Sequence, residues 1–109
     1  MPVFAVRTAK GDSWDDARGI REQAFWPEHA AFADLLVEKG VIILGGPVDS
    51  DDPQDIALLA VEAADEAAAR AAFGPDPWLV HGIFRLKDVR HWAIWLDGRV
   101  PAVSSGPAG

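Results

Sequence analysis

Hydrophobic and polar residues follow two different periods along the chain, and the changes between them separate strands from helices. Residues 3–8 alternate and are rich in β-branched and aromatic side chains, which predicts a first strand. Residues 41–44 and 56–61 are continuous apolar runs, as in strands whose two faces are both covered. The pattern predicts a last strand over residues 83–87 that continues toward Trp92.

Two segments between these strands carry helix signals. The first helix is expected to begin at Pro27, because a proline needs no hydrogen-bond partner in the first turn, and to end at Lys39 and Gly40. The second, residues 65–73, is rich in alanine, opens with acidic residues and stops before Gly74. The predicted order of elements is therefore β-α-β-β-α-β.

This order predicts an α+β fold of the ferredoxin-like type, with a four-stranded antiparallel sheet and both helices on one face. The other face of the sheet is then bare, although two strands are apolar at nearly every position. We therefore expect a homodimer in which two sheets pack face to face. Residues 1–96 would form this single domain, and residues 97–109, rich in Gly, Pro and Ser, would be a disordered tail.

Composition narrows the classes of partner. The net charge of −7 opposes binding to a phosphate backbone, and the ten Lys and Arg form no cluster, so nucleic acid is not expected as a partner. No apolar run is long enough to cross a bilayer, and no secretory signal is visible, so we expect no membrane partner. The absence of cysteine excludes disulfides and thiolate metal sites and agrees with a cytoplasmic location.

The polar segment from residue 10 to residue 23 is long for a connection in a domain of this size. It is either a surface loop held by Trp14 or a segment that covers a substrate. In the second case Arg21 is a candidate to bind an anionic group.

An unusual histidine lies in the first helix. At 100° per residue, His29 falls on the same stripe as Phe32, Ala33 and Leu36, so its imidazole points toward the interior. Such a histidine is either a hydrogen-bonded core residue or a functional group that faces a cavity.

In their order and spacing, these segments resemble the YCII-related domain family over roughly residues 3–95. The resemblance rests on His29 within EHAAFADLLVEKG, on VIILGGPV and on DPW before the last strand. It implies a dimeric α+β barrel with an enzymatic site, and the histidine and aspartate that recur in the family match His29 and Asp76. One branch of the family is a chloromuconolactone dehalogenase, and the wider superfamily includes muconolactone isomerase and cofactor-free monooxygenases.

The chemistry of this pair is acid–base catalysis. An imidazole can take and give protons at neutral pH, and a carboxylate behind it fixes the tautomer and stabilises the cation. The predicted topology can bring Asp76 to His29 at the mouth of a pocket. Gly45, Gly46 and Pro47 would line that pocket, because two successive residues without side chains leave an opening.

Other side chains are candidates with weaker signals. Trp26 lies close to His29 in the sequence, and Trp78 lies close to Asp76. Both could line an apolar pocket, although core packing explains them equally well. His81 and His91 have no metal-ligand spacing with each other or with His29, so no metal is expected. Phosphate loops and dinucleotide fingerprints are absent, and we expect no cofactor.

Three functions are compatible with the sequence. The first is a cofactor-free lyase, isomerase or dehalogenase-like enzyme that acts on a small oxygenated ring of the muconolactone type through His29 and Asp76. The second is a non-catalytic dimeric protein that binds a small ligand in the same pocket. The third is a tautomerase that uses Pro2 as an N-terminal amine base after removal of the initiator methionine.

Overall fold

Four strands form one antiparallel sheet in the order β2-β3-β1-β4 in a computed structural model, which describes residues 1–99. The strands are β1 (Val3–Lys10), β2 (Ile42–Gly46), β3 (Asp55–Glu62) and β4 (Phe84–His91). The helices are α1 (Trp26–Glu38), α2 (Glu66–Ala72) and the short α3 (Pro77–Val80), and a 3-10 turn covers Ile20–Glu22. The predicted ferredoxin-like α+β fold is confirmed. Most of the tail predicted at residues 97–109 lies outside the described residues.

The core lies between the sheet and the helices. Leu36 of α1, Ala69 of α2 and Phe73 just after α2 pack against the inner face of the sheet. The strand residues of this core are Phe4, Val6, Ile42, Val61 and Val89. A second cluster beside it contains Trp78 of α3, Ile83 and Phe84. None of the helices within residues 1–99 is long and apolar enough to cross a membrane.

The first helix ends as the sequence predicts. Gly40 has a positive φ of 76°, a backbone conformation that a side chain would disfavour. Its N–H donates to the carbonyl of Val37, and the N–H of Val41 donates to that of Leu36. These bonds satisfy carbonyls at the helix end and turn the chain into β2.

The predictions for β2 were partly wrong. The predicted strand covered residues 41–44, but Gly45 and Gly46 also belong to it and pair with Leu59 and Leu58 of β3. The absent side chain at Gly45 permits this pairing, since a Cβ atom there would lie 3.1 Å from the carbonyl oxygen of Leu58. The strand therefore continues past its last bulky residue, Leu44, at the edge of the sheet.

A register shift explains why β2 is apolar at successive positions. Ile42 pairs with Val61 and Leu44 with Ala60, so one extra residue, Ile43, lies between two neighbouring pairs. Because a one-residue shift reverses the face to which a side chain points, Ile42 enters the core while Leu44 is 55% exposed. Within residues 1–99, Leu44 on the outer face of β2 is therefore left largely exposed.

The segment before β4 also differs from the prediction. The sequence pattern predicted no helix between residue 74 and the last strand, but the helix α3 lies there and β4 begins at Phe84. Asp76 itself is extended, with φ −59° and ψ 122°, as a residue before a proline prefers. Pro77 then starts the helix, where its fixed φ is favourable.

A charged cluster connects β4 with the start of β3. Lys87 Nζ donates to Asp52 at 2.9 Å and also to Asp55. The hydrogen bond from Lys87 holds the pKa of Asp55 below its ordinary value of 3.8. The same contacts, with Asp55 first, raise the pKa of Lys87 above 10.5. Both shifts stabilise the folded protein between these two ordinary pKa values.

We predict that the stability contributed by Lys87 disappears in acid. A carboxylate with a lowered folded-state pKa stabilises the fold above pH 3.8 and loses that effect as the pH falls through the folded-state value. Urea unfolding should therefore show that Lys87→Gln lowers the free energy of unfolding at about pH 6 but hardly at about pH 2. Lys39→Gln, which removes an exposed lysine at the end of α1, is the control. A loss of equal size at both pH values for Lys87→Gln would contradict the ion-pair account.

Candidate active site

The segment Asp76, Pro77 and Trp78 folds into the first turn of α3 and places a carboxylate in the interior. Asp76 is the N-cap, and its Oδ1 accepts the backbone N–H of Trp78 at 2.9 Å. Aspartate is among the preferred N-cap residues because its oxygen satisfies an amide that the helix leaves free. The side chain is only 1% exposed, so this carboxylate is buried beside the helix it caps.

His29 meets this carboxylate across the domain. It lies in the first turn of α1, and its Nδ1 is 2.9 Å from both Oδ1 and Oδ2 of Asp76. A carboxylate only accepts hydrogen bonds, so Nδ1 carries the hydrogen and Nε2 is the ring atom left for a proton from elsewhere. The two side chains that the sequence singled out are therefore in direct contact.

Aromatic rings fix the orientation of the imidazole. The ring of His29 stacks on that of Trp78 at 4.0 Å and 3° between planes, and Phe84 meets it edge-on at 5.3 Å. Trp78 is itself 1% exposed, and its indole N–H donates to the carbonyl of Ala24 at 2.8 Å. One face of the imidazole therefore lies against the indole ring of Trp78, and its Nδ1 edge lies against Asp76.

The pair borders a cavity of about 290 Å³ between the sheet and the helices. This volume is near the lower end of the range for small-molecule sites, roughly 300 to 1,000 Å³. Besides His29 and Asp76, the cavity is lined by five residues that the sequence had suggested for binding: Trp26, Gly45, Gly46, Pro47 and Trp78. Its other lining residues are Thr8, Ile20, Ala33, Leu36, Ile42, Ile56, Ala57, Leu59, Phe73 and Phe84.

Arg21 is the one suggested binding residue that does not line this cavity. It is exposed in the 3-10 turn, while its neighbour Ile20 contributes to the wall. The segment of residues 10–23 is held in place by Gln23, which is buried and whose amide accepts from the N–H of Asp15 and donates to its carbonyl. Trp14 adds an edge-on contact with Trp78 at 5.8 Å between centroids. The segment is therefore both anchored and part of the cavity wall.

Sequence reasoning overlooked Thr8, which is the only hydroxyl-bearing side chain among the described residues that line the cavity. It lies on β1 in step with Phe4 and Val6, which both face the core. The alternation of this strand could have indicated it, because a polar residue on the inward-facing set of positions is unusual.

The whole domain is recognised by comparison with known families. The profile of the YCII-related domain matches residues 1–93. The chain belongs to the YCII-related family. No curated protein matches the chain. Within residues 1–99 of this YCII-related protein, no three His, Asp or Glu side chains are grouped closely enough to hold a metal ion.

Proposed function

We propose that this protein is a small-molecule enzyme that works without a cofactor and uses His29 as a general acid–base, with Asp76 as its partner. The observation that carries the proposal is the 2.9 Å contact between Nδ1 of His29 and the buried carboxylate of Asp76 at the wall of a mainly apolar cavity. A partner behind the imidazole fixes its tautomer and stabilises the imidazolium that forms when Nε2 accepts a proton.

The chemistry that suits this arrangement is proton transfer at carbon. In a ring ketone or lactone, Nε2 of His29 would take a proton from the carbon next to the carbonyl. The C–H bond breaks, an N–H bond forms, and the electron pair moves toward the carbonyl oxygen. Return of the proton at another carbon gives an isomerase, and departure of a leaving group gives a lyase or dehalogenase. A small oxygenated ring of the muconolactone type is the substrate that the family resemblance favours.

The two alternatives predict different behaviour. A protein that only binds a ligand would use the same cavity but would not exchange protons with it. The tautomerase hypothesis has no support from this cavity, because Pro2 precedes β1 at its other end and is exposed. Thr8 lines the cavity six residues further on, which corresponds to roughly 20 Å along a strand.

The test is deuterium exchange. In D₂O the wild-type protein should catalyse the exchange of protons next to the carbonyl in one of a set of small ring ketones and lactones, with 2-indanone as the first member. Proton NMR measures the rate without a known product. If members of the set bind but none of them shows catalysed exchange, the result would favour the non-catalytic ligand-binding alternative.

We predict that Asp76→Asn lowers the exchange rate by about two to four orders of magnitude. Asparagine also caps helices, so α3 is kept, but the negative charge that stabilises the imidazolium is lost. Asp65→Asn is a matched control, since Asp65 caps α2 through the N–H of Ala68 and contacts no histidine. Equal rates for Asp76→Asn and Asp65→Asn would show that the Asp76 carboxylate has no part in proton transfer.

We also propose that the protein is a homodimer that closes the bare face of the sheet. Leu44 is 55% exposed and Trp92 is 39% exposed, and both border this face together with Leu58. An apolar surface on a central sheet is usually covered by another subunit. Sedimentation at micromolar concentration should give twice the 11.7 kDa mass of the chain, and Leu44→Lys should give the single-chain mass. A folded wild-type monomer would contradict the dimer.

A further inference from the structure

Thr8 has a buried hydroxyl that nothing in the fold explains. The residue is 1% exposed, and its Oγ1 has no hydrogen-bond partner within the part of the chain that the structure describes. A buried hydroxyl without a partner is unfavourable, and valine would fill nearly the same space without this cost. Since Thr8 lines the cavity that His29 faces, a ligand in the cavity is the group that could supply the missing partner.

The hydroxyl of Thr8 is available to such a ligand. Rotation about the Cα–Cβ bond of a threonine exchanges its hydroxyl and methyl groups between staggered positions. In the position that it occupies, Oγ1 has no hydrogen-bond acceptor among the described residues. A ligand oxygen that enters the cavity would therefore not displace an existing hydrogen bond.

The charges around the cavity limit the kind of ligand. Among the described residues that line the cavity there is no lysine or arginine. The pair itself has a charge of −1 with a neutral imidazole and zero with an imidazolium, so it offers no net positive charge to an anion. The whole chain, with this pair included, has a net charge of −7 when its histidines are neutral. A carboxylate moved from water into this cavity would lose its hydration without gaining a counter-charge, which is strongly unfavourable.

From these observations we infer that the cavity takes an uncharged, mainly apolar ring compound with a carbonyl oxygen, and that the Thr8 hydroxyl donates a hydrogen bond to that oxygen. This inference rests on the proposed function and narrows its substrate. Muconolactone itself carries a carboxylate beside its lactone ring, so the inference selects neutral compounds over that acid.

The hydroxyl would act in the step proposed above. When Nε2 of His29 takes the proton, the electron pair of the C–H bond moves into the ring and negative charge develops on the carbonyl oxygen. A donor aimed at that oxygen stabilises the charge more in the transition state than in the bound ketone. Thr8 would therefore affect both binding and the rate of exchange.

The experiment compares three proteins and two ligands by calorimetry. 2-Indanone and indane-2-carboxylate share a ring system and differ in charge. Wild type should bind 2-indanone, and indane-2-carboxylate should bind at least about tenfold more weakly. Thr8→Val should weaken 2-indanone binding by about fivefold or more, whereas Thr8→Ser, which keeps the hydroxyl, should stay within about twofold of wild type.

Thermal unfolding separates this role from a structural one. Because the free protein leaves the hydroxyl unpaired, Thr8→Val should keep the melting temperature or raise it by up to about 8 °C. The inference would be overturned if wild type did not bind 2-indanone, or if it bound 2-indanone and indane-2-carboxylate equally well. It would also be overturned if Thr8→Val bound 2-indanone as tightly as wild type or had a lower melting temperature than wild type. If proton exchange depends on His29 but not on Thr8, the inference about Thr8 fails while the proposed function stands. If binding depends on Thr8 but no proton exchange occurs, the proposed catalytic function fails while the inference about the ligand stands.

Discussion

Replacement of His29 by alanine is expected to remove catalysis and leave the fold intact. The exchange rate of a substrate ketone should fall by about two to four orders of magnitude, the usual contribution of a general acid–base. The reason is geometric: of the three histidines, His29 is the one that lines the cavity and contacts Asp76. Circular dichroism should show unchanged secondary structure, since the helix α1 gains a residue with higher helix propensity.

A second histidine provides a close control. His81 stacks on Phe25 at 3.9 Å and 4° between planes, almost the geometry with which His29 stacks on Trp78. His81→Ala therefore also removes a stacked imidazole, at an expected cost of about 0.5 to 1.5 kcal/mol, but it removes no group from the cavity. His81→Ala should retain the exchange rate of wild type. If both variants lost the same fraction of activity, the loss would come from the stacks rather than from proton transfer.

Trp78→Ala is expected to have the largest effect on stability. Trp78 is 1% exposed, and its ring contacts Trp14, Trp26 and Phe84 as well as His29. Removal of a buried aromatic side chain typically costs about 3 to 5 kcal/mol, which is a large part of the total stability of a small domain. Chemical unfolding should show this loss directly.

Two further variants separate the contributions to the stability that Trp78→Ala loses. Trp78→Phe keeps an aromatic wall but leaves the carbonyl of Ala24 without its indole donor, so it should cost about 1 to 3 kcal/mol. Val80→Ala changes an exposed residue on the same short helix and should lie within about 0.5 kcal/mol of wild type. A cost below about 1 kcal/mol for Trp78→Ala would mean that α3 does not hold the site together.

Local signals predicted most of the fold. The limits of α1 follow from Pro27 and Gly40, because a proline and a glycine have distinct backbone preferences that act within one turn. The alternation in β1 and the apolar runs of β2 and β3 gave the strand positions to within two residues at most ends. The helix α3 was missed because four residues are too few for a periodic pattern, although Asp76 and Pro77 are a typical start of a helix.

The site was less predictable from local patterns. His29 and Asp76 are 47 positions apart, so their contact depends on the whole topology, and the family resemblance is what linked them in advance. In the 3-10 turn no periodicity separates Ile20, which lines the cavity, from Arg21, which does not. Gln23 was missed because its side chain binds backbone groups of an irregular segment, which leaves no pattern in the sequence.

The most direct test of the central claim is the nitrogen-15 NMR spectrum of the His29 ring, at a pH where the imidazole is neutral. It needs no substrate and reports which ring nitrogen carries the hydrogen. The account predicts a protonated Nδ1 that is bonded to Asp76 and an unprotonated Nε2 that is able to accept a proton, with the protonated fraction of Nδ1 decreasing in Asp76→Asn. A ring protonated at Nε2, with no change in Asp76→Asn, would contradict it.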